Sequence, residues 1–262
     1  MPTSRQHQGA RARRAQREQR PTTAEVIGRS RGTPRALTRR VGTPLLATAF
    51  LALCVVPATF AAGFATPPAD TPNLALAVLQ PADMAPGADL GAQGYIKPPN
   101  GFTAAYVGTL TGASVSDGTQ YLAIQDFVAL GPDATLASNL FGAQQSTLTT
   151  KRGRRAYIRR VVASIGRKAH ITTRDVTLGP VASLGIGSAS FTTTLRIRFR
   201  GMFDDEVLAV FAEGDVYASF GLTGTPNETL PISDTAALAN TIDAHIRAVL
   251  GPTGVTGSSG TT

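Results

Sequence analysis

The chain has 262 residues, a formal net charge of +8 and a single cysteine. The charge sits at one end: residues 1–43 hold eleven arginines against two acids, and the remainder has fourteen cations against fifteen acids, so the basic composition does not describe a nucleic-acid-binding domain. Cys54 lies inside an apolar stretch, which excludes a disulfide-stapled scaffold and leaves any folded part to be held by its core.

Residues 1–43 are rich in Arg, Gln, Ser and Thr, bury too little apolar surface to fold alone, and are expected to be a disordered basic tail. Between Arg40 and Asp70 there is no charged residue, and Leu45–Ala62 reads LLATAFLALCVVPATFAA. Segment 44–65 is therefore read as a membrane segment, close to the ~20 residues a spanning helix needs. The arginine-rich flank keeps residues 1–43 cytoplasmic and sends everything after Ala65 outside. Two readings remain open: an uncleaved single-pass anchor in the cell membrane, or a signal segment cleaved near Ala65 at Gly63-Phe64-Ala65, which would release the rest as a secreted protein. Arg39-Arg40 is a poor twin-arginine signal because Gly42 stands where a bulky apolar residue belongs.

Residues 66–100, rich in Pro, Ala, Asp and Gly, read as a linker with one short apolar turn at Leu74 to Leu79. An extracytoplasmic domain is expected over 101–251. Phe102 to Leu110 and Tyr121 to Leu130, joined by the turn-rich Ser114 to Gly118, predict a hairpin. Gly131-Pro132-Asp133 stops it, and Asp133 is placed to cap a helix carrying Leu136, Leu140, Phe141 and Leu148. Tyr157, Ile158, Val161, Val162 and Ile165 predict a second helix or a continuation past Gly153. After a strand at Ile171 to Leu178 and a glycine-rich loop, Phe191 to Arg200 alternates apolar and polar residues with period two. VLAVFA and VYASFGL follow, separated by the hairpin turn Glu213-Gly214-Asp215. Leu238, Ile242, Ile246, Val249 and Leu250 form the stripe of a last helix, with Ser233 as its expected cap and Gly251-Pro252 as its end. Residues 252–262 are expected to be a disordered tail. The fold class expected from this order is α+β: an antiparallel sheet of about five or six strands with helices packed on one face, behind a single N-terminal membrane segment.

Arginine outnumbers lysine, and Ala, Gly, Thr and Pro abound, as in a GC-rich genome. The opening LQPADMAPGA, Leu79 to Ala88, followed by two strands, a long helix, a meander and a closing helix, resembles the small extracytoplasmic α+β domains of actinobacterial lipoproteins and sensor-kinase ectodomains, the PknH-like sensor group, over roughly residues 74–250. The resemblance implies an envelope-exposed sensing or binding domain. The paired cysteines of the kinase ectodomains have no counterpart here, and no functional residue is carried over.

Residues for chemistry are few. His7, His170 and His245 stand in no metal or catalytic motif, and there is no HExxH, P-loop or GxSxG elbow. Gly185-Ile186-Gly187-Ser188 lacks the third glycine of a dinucleotide loop and leads into a strand. Asp204-Asp205-Glu206 reads as a solvated turn, without the spacing of a calcium loop. No catalytic residue, metal or cofactor is expected. The outstanding feature is a run of eight cations in eighteen residues without an acid: Lys151, Arg152, Arg154, Arg155, Arg159, Arg160, Arg167 and Lys168. It reads either as a solvated helical face or as a docking patch for an anionic partner, whether anionic lipid, wall polymer or an acidic protein; no nucleic acid is expected. The function expected is a non-enzymatic extracytoplasmic binding or sensing domain on a single-pass envelope protein. The alternative is a secreted or anchored envelope hydrolase or accessory enzyme.

Overall fold

The strict alternation at 191–200 becomes one rung of an eight-stranded, wholly antiparallel sheet in the computed structural model, which describes residues 64–115, 119–165 and 170–251, all within one unit, Val41–Thr262. The expectations for 1–43, for nearly all of 44–65 and for 252–262 lie outside the described residues; among the described residues no helix is long and apolar enough to cross a membrane.

The strands are β1 (Asp89–Leu90), β2 (Gly94–Ile96), β3 (Ala104–Thr111), β4 (Tyr121–Leu130), β5 (Val176–Leu178), β6 (Ala189–Phe199), β7 (Met202–Glu213) and β8 (Val216–Gly224). The helices are α1 (Ala134–Thr149), α2 (Lys151–Ile165) and α3 (Ile232–Leu250). In space the order is β1-β3-β4-β8-β7-β6-β5, with β2 pairing further along the same edge of β3 as β1. Two tight hairpins make the meander. Arg200 and Gly201, both at positive φ (50° and 81°), turn β6 into β7, and Gly214 at φ 54° turns β7 into β8. Turns of that handedness match the twist of the strands they join. The strand count exceeds the expected five or six because β1 and β2 are two and three residues long, too short to carry a period.

Helices cover both faces of the sheet, which corrects the expectation of one. Phe191, Leu195 and Ile197 of β6 join Leu208, Val210, Tyr217 and Phe127 on one face, under Phe141 and Leu148 of α1 and Tyr157, Val161 and Ile165 of α2. On the other face Val207, Phe211, Phe220 and Leu222 pack under Leu238, Ile242 and Ile246 of α3. The physical reason is in the central strands. β6 is polar on its second face, at Thr194, Arg196 and Arg198, but all nine residues of β8 are buried, and a strand apolar on both sides needs a layer on each.

The expected linker is also corrected. Leu74, Ala77, Val78 and Leu79 are buried in the α3-side core, at about 1.5–3 kcal/mol for each fully buried Val or Leu. The Leu79 amide donates to the Asp126 carboxylate (3.0 Å), the Leu74 amide donates to the Tyr95 hydroxyl (3.0 Å), and that hydroxyl donates to the Pro72 carbonyl (3.1 Å). Even Ala65 donates its amide to Tyr95 (2.7 Å). The apolar run is short, and its partners, β3 and β4, lie tens of residues downstream, so its burial leaves no local signature.

Helix ends follow local chemistry. Asp133 caps α1 by accepting from the Leu136 amide (3.0 Å). The α1–α2 corner falls at Thr150, whose hydroxyl accepts from the Gly153 amide (3.2 Å), and a side chain at Gly153 would overlap the Thr147 carbonyl. Ser233 does not cap α3, which begins one residue earlier behind Pro231; the Ser233 hydroxyl lies in the first turn and donates to Asp234 (3.3 Å). Gly251, at φ 73°, ends the helix as expected.

Candidate functional site

Two places in the described residues gather polar and charged side chains, and the first is α2. Tyr157, Val161 and Ile165 recur every four residues and turn one side of the helix onto the sheet. The other side therefore carries Lys151, Arg152, Arg155, Arg159 and Arg160, all exposed. Lys151, Arg155 and Arg159 align in a stripe about 12 Å long at 1.5 Å per residue. The ion pairs among the described residues involve Arg196, His245 and Arg247 and none of these five. Cations four apart repel by a few tenths of a kcal/mol per pair, so the sequence of α2 works against its own helix unless an anion is near.

Arg154 is different. It folds inward, and its guanidinium donates to the Leu148 carbonyl (3.1 Å), to the Gly179 carbonyl (2.9 Å) and to the Leu178 carbonyl. It ties the end of α1 and the edge strand β5 to α2, and so leaves the docking set for a structural one. Arg167 and Lys168 lie outside the described residues.

The second place is a half-open groove of about 230 Å³ on the α3 side of the sheet, over β5, β6 and β7. Two cross-strand rungs make its floor: Thr177, Arg196 and Asp205 stand opposite one another, and Thr194 stands opposite Val207. Thr229 and Leu230, from the connection between β8 and α3, form a wall. Arg196 meets Asp205 side-on, through Nε to Oδ1 (2.6 Å) and Nη2 to Oδ2 (2.6 Å). Its Nη2 also reaches the Thr229 hydroxyl (3.3 Å), and the guanidinium carbon lies 4.1 Å from the centre of the Phe203 ring. The pair was missed from sequence although a signal exists: residues 196 and 205 are equidistant from the 200–201 turn, which places opposite charges face to face.

Carboxylates are also buried, on both faces of the sheet. The acidic triplet is not a solvated turn, because the turn comes earlier, at Arg200-Gly201, and β7 has already begun. Alternation along the strand sends Asp205 to the groove and Asp204 and Glu206 to the opposite face, so the three cannot converge on one ion. Glu206 is buried between Leu195 and Thr223, and its Oε1 has no hydrogen-bond partner among the described residues. Burial, with the Asp204 charge nearby, pushes its carboxyl up to about 8. Asp126 is pushed up to about 7 by burial, against the pull of the Leu79 amide and with a further rise from Asp83. Among the described residues no group of three His, Cys, Asp or Glu side chains could hold a metal ion.

His245 sits at the boundary of the core, with Nδ1 3.1 Å from the Val78 carbonyl and Nε2 3.4 Å from Asp83. Gly185 and Gly187, both at positive φ, shape the loop into β6 around the buried Ile186.

No protein-family model matches this chain, and no curated protein matches it. Among solved structures it has a weak likeness to the extracellular domain of PknH from Mycobacterium tuberculosis. That likeness covers 69% of this chain and 95% of that chain at 13% identity, with a TM-score of 0.37. It assigns no residue a role.

Proposed function

We propose that the described unit is a non-enzymatic binding or sensing domain that works outside the membrane, carried by the apolar segment 44–65, with residues 1–43 in the cytoplasm. The observation that carries the reading is the outer side of α2, where five exposed cations have no acidic partner among the described residues. Such a surface favours an anionic partner. Anionic lipid headgroups are the first choice, because exposed cations without acidic neighbours are drawn to them electrostatically. The groove supports binding over catalysis: its two ionisable groups are paired with one another, and a general acid or base must be free to exchange its proton.

The full chain in detergent, presented with liposomes rich in phosphatidylglycerol, should bind with an affinity that falls steeply as salt rises, since attraction is screened over about 10 Å at 0.1 M. Arg155→Gln, Arg159→Gln and Arg160→Gln together should abolish that binding and leave the melting temperature unchanged; Arg154 is left intact because it holds the fold. Binding indifferent to salt, or to the triple substitution, refutes the docking role. Wall polymer bound in place of lipid would move the partner and keep the surface. Topology is checked separately: protease added to wall-stripped cells should remove the domain and spare a tag at the N-terminus.

A further inference from the structure

We infer that the groove over β5, β6 and β7 is a binding site for a neutral polyhydroxylated ligand, a sugar or the terminal sugar of a glycan. The inference does not rest on the cationic helix, which packs on the other face of the sheet.

Size is the first restriction. At about 230 Å³ and half open, the groove is smaller than the roughly 300–1,000 Å³ that enclose drug-sized ligands, so it takes a small molecule or the end of a longer one. Charge is the second. Arg196 and Asp205 neutralise each other through two short hydrogen bonds, so a charged ligand would have to separate them or meet an equal charge of its own sign.

Hydrogen-bonding capacity then selects among neutral ligands. The hydroxyls of Thr177 and Thr194 and the Nη1 of Arg196 have no partner among the described residues, and each hydroxyl both donates and accepts. Ligand hydroxyls have the same dual character, whereas an amide or a purely apolar group would satisfy only part of the set. Leu230 lines one wall, 5% exposed, over the fully buried Val207, so the polar groups of the floor meet an apolar edge on which the C–H side of a sugar ring can rest.

The site is also held ready. Arg196 is fixed by Asp205, Thr229 and the Phe203 ring before any ligand arrives. Gly179 keeps the Thr194 hydroxyl open, since a side chain there would overlap Thr194 Oγ1. A site that needs no rearrangement loses less affinity to ordering.

The test uses the full chain in detergent with ¹³C-labelled Thr, Val and Leu methyl groups, titrated to tens of millimolar with glucose, galactose, mannose and arabinose, and separately with glucuronate. At least one neutral sugar should produce saturable shifts confined to the methyls of Thr177, Thr194, Val207, Thr229 and Leu230. Thr194→Val and, independently, Thr177→Val should each weaken that binding about five- to tenfold, the loss expected for one neutral hydrogen bond, with the methyl spectrum elsewhere unchanged. An oligosaccharide binding more tightly than its terminal sugar marks a glycan end, and equal affinity marks a free sugar. Binding of glucuronate without any neutral sugar, shifts unaffected by both valine variants, or no saturable shift at all would overturn the inference.

Discussion

Glu206→Gln should make the protein markedly less sensitive to alkali. The glutamate is buried on the α1 and α2 side between Leu195 and Thr223, and its carboxyl is raised from 4.5 to about 8, chiefly by burial. A group whose folded pKa is raised contributes stability that is fully present below its unfolded pKa and is lost as pH rises through the folded value. The window therefore runs from about 4.5 to about 8. At about 1.4 kcal/mol per pH unit, the mismatch is worth roughly 4–5 kcal/mol over the whole window and roughly 2–3 kcal/mol between about pH 6 and pH 9. Asp126, raised to about 7, adds roughly 1 kcal/mol over the same upper range and is untouched by the substitution. The wild type should thus lose roughly 4 kcal/mol between about pH 6 and pH 9, and the glutamine variant roughly 1 kcal/mol. The chain has no tryptophan and five tyrosines, so urea unfolding followed by tyrosine fluorescence at the two pH values is the suitable assay. Equal losses in the two proteins would refute the assignment of Glu206 as a carboxyl kept neutral by burial.

Other substitutions test the architecture. Ile197→Ala should cost about 2–5 kcal/mol and Arg198→Ala less than about 0.5, because the first is fully buried under the helical hairpin and the second is exposed; equal effects in a denaturant titration would mean that the strand faces are reversed. Leu74→Ala should destabilise by about 2–5 kcal/mol, as a core leucine does, whereas a spacer residue would leave the unfolding midpoint where it was. Arg154→Gln should cost about 1–3 kcal/mol through the loss of its bonds to the ends of α1 and β5, and a melting temperature equal to wild type would return Arg154 to the solvent-facing set.

Much of the fold was legible because it is written in short-range periods. The alternation of Leu195 and Ile197 with Arg196 and Arg198, the stripe of α3, the Asp133 cap and the glycine turn at 214 all depend on neighbours within a few residues. The cation-rich face of α2 was legible for the same reason, since a charge run with an apolar stripe leaves its charges on the outside. Arg154 was not, because its carbonyl partners on Leu178 and Gly179 come from an edge strand that folds beside it only in three dimensions. The same holds for the segment around Leu74, whose burial is decided by a surface that β3, β4 and α3 make together. The groove depends on register: moving the 200–201 turn by one residue would take Arg196 and Asp205 off their common rung and send every later side chain of β7 to the opposite face. Composition and periodicity thus determine which residues form strands, helices and charged faces, because those follow from local geometry. Which carboxylates are buried, which arginine is structural and where the sheet leaves an opening are decided only when distant strands come into register, because burial and pairing belong to the assembled sheet.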